Sequence, residues 1–157
     1  MKVLIVSDTH RKYENYIETV RRQHPDLVVH CGDTGGSEDV LEAADCPVKI
    51  VLGNNDFFSY LPRELDLVIG PYRVWVTHGH NYYVNMGVEN IKREAVARGA
   101  DIVLFGHTHR PLIDIGENII AVNPGSISYP RQEGRRPSYA LMELDDGEKA
   151  HFTIKYL

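Results

Sequence analysis

Five apolar stretches of this 157-residue chain end in side chains that bind metals or carry protons. VLIVSDTH ends in Asp8 and His10, LVVHCGD in Asp33 and KIVLGNND in Asn54. VWVTHGH ends in His78 and His80, and IVLFGHTH in His107 and His109. A lone Asp or Asn in such a place is usually a turn or cap residue, since it bonds its own backbone and tolerates left-handed conformations. Five such endings in one short chain are hard to explain separately. Imidazole and carboxylate together suit Zn, Mn, Fe or Ni and need no thiolate. Asp8 and His10 lie two residues apart, as do His107 and His109, and in extended chain such pairs point to one side. Gly32, Gly53, Gly79 and Gly106 let the backbone turn tightly beside these side chains.

Bringing the groups together requires strands that end on a common rim. The apolar runs at residues 3–6, 27–29, 48–52 and 102–105 have the length of buried strands. A helix is expected over residues 14–24, stopped by Pro25. A short one should follow Ser37 as its cap. The best helix covers residues 85–98, with Val88, Ile91, Ala95 and Val96 on one stripe and Gly99 as the stop. Residues 67–69 and 74–76 read as a hairpin around Gly70-Pro71-Tyr72. Residues 113–115 and 119–122, then 139–144 and 151–156, read as two more, the last turning through Asp145-Asp146-Gly147-Glu148. Alternating β and α followed by meandering β predicts a mixed-sheet α/β domain. In such folds, ligands bind outside the carboxyl ends of the strands.

Composition sets the outer limits. With 43% hydrophobic and 25% charged residues, the chain fits one globular domain over residues 1–157. No apolar run approaches the roughly 20 residues that cross a bilayer, so no membrane partner is expected. MKVLIVSDTH is too short for a signal peptide and reads as a first strand, which predicts a cytoplasmic protein. Cys31 and Cys46 form no CxxC motif and read as reduced structural residues. A net charge of −5 and a pI of about 5.9 disfavour nucleic acid as a partner. They leave room for a small phosphorylated substrate.

The order D-x-H, G-D, G-N-x-D, H-G, G-H-x-H resembles the calcineurin-like metallophosphoesterase superfamily. Here it stands as Asp8-Thr9-His10, Gly32-Asp33, Gly53-Asn54-Asn55-Asp56, His78-Gly79 and Gly106-His107-Thr108-His109. Any one block is weak; all five in order are specific. The short chain and Asn123-Pro124-Gly125-Ser126 resemble the small stand-alone bacterial and archaeal phosphodiesterase branch. The resemblance implies a four-layer αββα sandwich of two mixed sheets flanked by helices, with two divalent ions per chain at the rim. Manganese is the first expectation, with Zn, Fe or Ni as alternatives. By the family pattern Asp8, His10, Asp33 and His109 hold one metal, and Asp33, Asn54, His78 and His107 the other, Asp33 bridging. The implied reaction is hydrolysis of a small phosphoester, a diester before a monoester, by a hydroxide bridging the metals.

One position departs from the pattern. Where many members carry a histidine after the ligand asparagine, this chain has Asn55. An amide can donate to a phosphate oxygen but cannot act as a general acid near neutrality. His80 is the candidate to protonate the leaving group; the competing reading makes it a loop residue that orients ligands. His30, inside an apolar strand, reads as a satisfied buried histidine. Arg110 is the first candidate for binding substrate, with Arg11 and Arg131 beside it. The aromatic segments at residues 57–62 and 81–86 either wall the pocket or form a homodimer surface. Two rivals from other classes are a metal-binding scaffold of the same fold and, less favoured, a nuclease. A filled ligand set speaks against the first and acidic charge against the second.

Overall fold

The computed structural model describes residues 1–146 and 148–157; Gly147, in the expected turn at 145–148, lies outside the described residues. Among the described residues, thirteen strands and α-helices follow in chain order: β1 Lys2–Val6, α1 Glu14–Gln23, β2 Leu27–His30, α2 Glu38–Glu42, β3 Val48–Ile50, β4 Glu64–Ile69, β5 Tyr72–Thr77, α3 Glu89–Ala97, β6 Ile102–Leu104, β7 Pro111–Ile115, β8 Ile120–Pro124, β9 Ser138–Leu144 and β10 Ala150–Tyr156. They build two five-stranded sheets, ordered β10-β9-β1-β2-β3 and β4-β5-β6-β8-β7. β1, β2 and β3 are mutually parallel, with β9 and β10 antiparallel beside β1. β5, β6 and β8 are parallel in the second sheet, edged by antiparallel β4 and β7.

Side-chain alternation explains the layering. Val3 and Ile5 of β1 enter one apolar cluster with Val74 and Val76 of β5, Ile102 and Leu104 of β6 and Val122 of β8. This is the seam between the sheets. The alternate residues Leu4 and Val6 face the other way, onto Tyr16 and Ile17 of α1 and Leu41 of α2. Trp75, Val103 and Ala121 face outward from the second sheet onto Ile91 and Ala95 of α3. Central strands are therefore apolar on both faces, as parallel strands covered by helices must be. The result is the four-layer αββα sandwich.

Local chemistry moved some boundaries. The helix expected over 85–98 begins only at Glu89. Ahead of it lie two single 3-10 turns, His80–Tyr82 and Val84–Met86, because Tyr83 and Gly87 take positive φ of 55° and 127° and interrupt α geometry. Val96 is exposed, so the buried stripe is Ile91 and Ala95. Ser37 sits at the start of α2 but makes no side-chain cap bond. Gly99 does stop α3, at φ 71°. The hairpins pair as expected, Ile69 opposite Tyr72 and Ile115 opposite Ile120. No helix among the described residues is long and apolar enough to cross a membrane.

Candidate metal centre

The carboxyl ends of β1, β2, β3, β5 and β6 meet on one rim, and the five polar blocks meet with them. Asp8 is fully buried beyond β1. Its Oδ1 lies 3.1 Å from His109 Nε2, 3.6 Å from His10 Nε2 and 4.0 Å from His78 Nε2. Asp33 Oδ2 stands between the two halves, 3.6 Å from His10 Nε2 and 3.4 Å from His78 Nε2. Two groups have ligand atoms spaced to share an ion: Asp8, His10 and His109, and Asp8, Asp33 and His78. Asn54 Oδ1 joins the second from 3.0 Å of His78 Nε2, and His107 Nδ1 reaches the same oxygen at 2.9 Å. All seven expected positions are thus brought to one place, His107 through Asn54.

Three observations fit this cluster to a divalent cation. Asp8 Oδ1 is buried without a hydrogen bond, which costs free energy unless something positive meets it. His10 Nε2 and His109 Nε2 approach to 3.2 Å, and both lie within 3.6 Å of Asp8 Oδ1. The outer nitrogens of two histidines are committed to backbone carbonyls: His78 Nδ1 donates to Cys31 O at 2.7 Å, and His109 Nδ1 to Tyr129 O at 2.5 Å. That fixes the tautomer and turns each Nε2 lone pair inward, as metal-ligating histidines require.

Backbone conformation completes the convergence. Asp8, His10, Asp33, His107 and His109 all have φ between 44° and 67°, a region costly for most side chains and least so for Asn, Asp and His. The backbones also come very close. A Cβ on Gly53 would lie 2.2 Å from Asp33 N, and one on Gly106 would lie 2.0 Å from Ser7 Oγ. Asp56 holds the first of these crossings together. It accepts from the backbone N–H of Asp33, Gly53 and Gly35 and from Thr34 Oγ1, at 2.8–3.1 Å.

Charge follows from position. Burial alone would raise the Asp8 carboxyl, but His10 and His109 hold it far below the usual carboxylate range. Burial likewise opposes ionisation of Asp33, yet His78 and Asn55 bring it to about 2. Both stay anionic at neutral pH. Burial depresses His78, but Asp33 and Asp8 outweigh it and raise the imidazole. His30 is satisfied as a buried histidine: Nδ1 accepts from Gly32 N–H at 3.1 Å and Nε2 meets Thr9 Oγ1 at 3.1 Å. Burial pushes it down to about 4.

The remaining candidates divide. Asn55 donates from Nδ2 and from its backbone to the two oxygens of Asp33, at 2.7 and 2.8 Å. His80 lies 5.4 Å from the His78 ring and 6.1 Å from His107, and its buried Nδ1 has no hydrogen-bond partner. Arg110 lines a cavity of about 450 Å³ that holds none of the seven expected ligands. Phe57, Phe58, Tyr60 and Tyr83 point into solvent. A further cavity of about 720 Å³, between α1 and α2, contains no residue of the site.

Sequence reading missed three supports. Asn123 donates to Gly106 O at 2.8 Å and to Thr108 Oγ1 at 3.0 Å, holding the block that carries His107 and His109. Ser126 Oγ donates to Asp8 O at 2.8 Å, and Asn85 bonds His107 Nε2 at 3.0 Å. The only sequence signal for the first two was Asn-Pro-Gly-Ser after an apolar strand.

Comparison with known proteins identifies the family. A family model described as the calcineurin-like phosphoesterase superfamily domain matches residues 1–147. A probable metallophosphoesterase of Bacillus subtilis (strain 168) is 36% identical over 93% of this chain and 86% of its own. One from Methanocaldococcus jannaschii is 33% identical over 95% of this chain and 78% of its own. The crystal structure of a protein from Streptococcus pneumoniae TIGR4, described as a predicted phosphoesterase, superposes with a TM-score of 0.83 at 31% identity. It covers 99% of this chain and 88% of that one.

Two outcomes follow from the geometry. Gly53→Ala places a methyl against Asp33 backbone, so the expected loss is about 1–3 kcal/mol or more of stability, together with weaker metal uptake. Denaturant titration and metal analysis read both. The second concerns pH. In chelator, the unfolded chain protonates at His30 near 6.5 and the folded chain only near 4. The unfolded state binds more protons in that window, so stability falls as pH drops through it. His80 and His107, depressed by burial and by His78, act with the same sign. The contribution of His78 is fully present below 6.5, and those of Asp8 and Asp33 are lost only below 3.8. His30→Gln should flatten the slope; an unchanged slope would assign it to other groups.

Proposed function

This chain belongs to the calcineurin-like phosphoesterase superfamily, and from that premise we propose that residues 1–157 form a single cytoplasmic phosphoesterase domain. Its substrate is a small phosphoester, a diester in preference to a monoester, and it works with two divalent ions, manganese first. The observation that carries this reading is the buried Asp8 carboxylate, with one unpartnered oxygen facing three imidazoles. Asp8, His10, Asp33 and His109 would hold one ion, and Asp33, Asn54, His78 and His107 the other. When bound, such ions supply Lewis acidity to the phosphate oxygens and a hydroxide nucleophile for in-line displacement.

The protein supplies the rest. Cys31 O and Tyr129 O keep His78 and His109 facing inward. Asp56 keeps the Asp33 loop against Gly53. Asn55 is exposed and bonds Asp33 through one amide proton; in this reading its second amide proton donates to a phosphate oxygen. His80 lies 5.4 Å from the His78 ring, and its role in this reading is to protonate the leaving oxygen. The Asn54 and Asn55 side of the rim is open to solvent. That leaves space for substituents on both sides of phosphorus and favours a diester.

The test compares bis(4-nitrophenyl) phosphate with 4-nitrophenyl phosphate after chelation and readdition of manganese. Faster hydrolysis of the diester, lost in chelator and restored by metal, is expected. Asp33→Asn should lower turnover by about a hundredfold or more, the scale of removing a charge-stabilising group, and should lower bound metal. Full activity with full metal content in that variant would overturn the ligand assignment. His80→Ala should cost about a hundredfold on alkyl esters and far less on aryl esters, whose leaving groups need no proton. Equal losses on both remove His80 from proton transfer.

A further inference from the structure

A cavity of about 590 Å³ opens directly against the metal cluster. His10 and His109 line it together with Tyr129, Arg131 and Arg135, and Arg131 also borders the cavity that Arg110 lines. The loop that brings the arginines is firmly held. Tyr129 N–H donates to Ser126 Oγ at 2.7 Å, and Ser126 in turn bonds Asp8 O. Arg131 N–H donates to His109 O at 3.0 Å, and Arg135 N–H closes a turn onto Gln132 O at 3.0 Å. Tyr129 packs edge-on against His10, 5.6 Å between ring centroids. Arg131 is thus tied through its backbone to His109, and Arg135 follows it on the same loop, in a turn closed onto Gln132.

Their guanidinium groups are uncommitted. Arg98 is paired with Glu64 and Glu94, Arg11 bonds Gly35 O, and Arg136 bonds Leu157 O. Among the described residues, the Arg131 and Arg135 side chains have no ion pair and no hydrogen bond. Two unpaired cations thus stand at this edge of the cluster in a chain whose net charge is −5. Guanidinium matches phosphate oxygens in bidentate geometry, and a pinned loop keeps the ordering cost of binding low.

We propose that this cavity is a subsite for a second anionic group of the substrate, read by Arg131 with support from Arg135. The preferred substrate is then a small phosphodiester that carries an additional phosphate monoester on the portion lying over His10 and His109. This rests on the phosphoesterase reading and deepens it: the metal ligands address the ester that is cleaved, and Arg131 addresses a charge that is not.

The experiment uses a matched pair, thymidine 5′-(4-nitrophenyl phosphate) with and without a 3′-phosphate, assayed with manganese. The full chain should favour the 3′-phosphorylated diester by about tenfold in kcat/KM, the scale of one charge-assisted hydrogen bond. Arg131→Gln should bring that ratio close to one, and Arg135→Gln should lower it in part. A second arm needs no turnover. Calorimetry should show thymidine 3′,5′-bisphosphate binding about tenfold tighter than thymidine 5′-phosphate, with the difference lost in Arg131→Gln. Equal kcat/KM for the two diesters, or a preference that survives Arg131→Gln combined with Arg135→Gln, overturns the subsite. No 4-nitrophenol from either diester would instead overturn the phosphoesterase reading, and calorimetry would still decide the subsite.

Discussion

Asp8 carries a negative charge at a point with no solvent access, and the surrounding chain is organised around keeping it there. Its N–H donates to Gly32 O at 3.0 Å, its carbonyl accepts from Ser126 Oγ at 2.8 Å, and Oδ2 accepts from His107 N–H at 3.2 Å. Segments following β1, β2, β6 and β8 therefore converge on one residue. Three of its four oxygen and nitrogen positions are met by protein, and the fourth, Oδ1, faces imidazoles. An isolated buried carboxylate would neutralise itself by taking up a proton. The histidines prevent this, which preserves the anion a cation needs.

The seam between the sheets makes this arrangement affordable to the fold. Apolar side chains fill it along most of its length, and the polar cluster is confined to the rim where the parallel strands stop. His78 leaves the second sheet and bonds Cys31 O of the first, so the sheets are joined at the rim by a side-chain hydrogen bond as well as by packing. Close contact of Gly32 with Gly53 and of Gly106 with Ser7 shortens the distance that side chains must reach. Short Asp and His side chains then meet without long, mobile arms, and little rotamer entropy is lost in ordering them.

Most of the cluster was legible because position and residue type agreed: an apolar run, then Asp, Asn or His, at five places. The layering was legible from two-sided apolar strands such as residues 3–6. Asn123 and Ser126 were opaque, because their importance lies in backbone partners more than 15 residues away, Gly106 O and Asp8 O, which no local pattern encodes. The start of α3 was misread for a different reason. Residues 85–88 have acceptable helical periodicity, but Gly87 and Tyr83 hold positive φ so that Asn85 can reach His107. Tertiary geometry overrode local preference there. Asp56 could be read from sequence either as a turn residue or as one that orients a neighbour, and its carboxylate does both: it bonds Gly53 in its own turn and Asp33 and Gly35 in another loop.

The left-handed backbone at Asp8, His10, Asp33, His107 and His109 bears on how such a centre can change over evolutionary time. Asp, Asn and His are the ligand-bearing residues that tolerate this conformation best, so the backbone and the cation select from the same short alphabet. A drift toward thiolate ligands, and hence toward softer metals, would have to overcome a conformational penalty at five sites at once. Exchange among oxygen and nitrogen donors meets no such barrier. Whatever divalent ion such a centre takes, the door to thiolate chemistry is closed by its main chain rather than by its side chains.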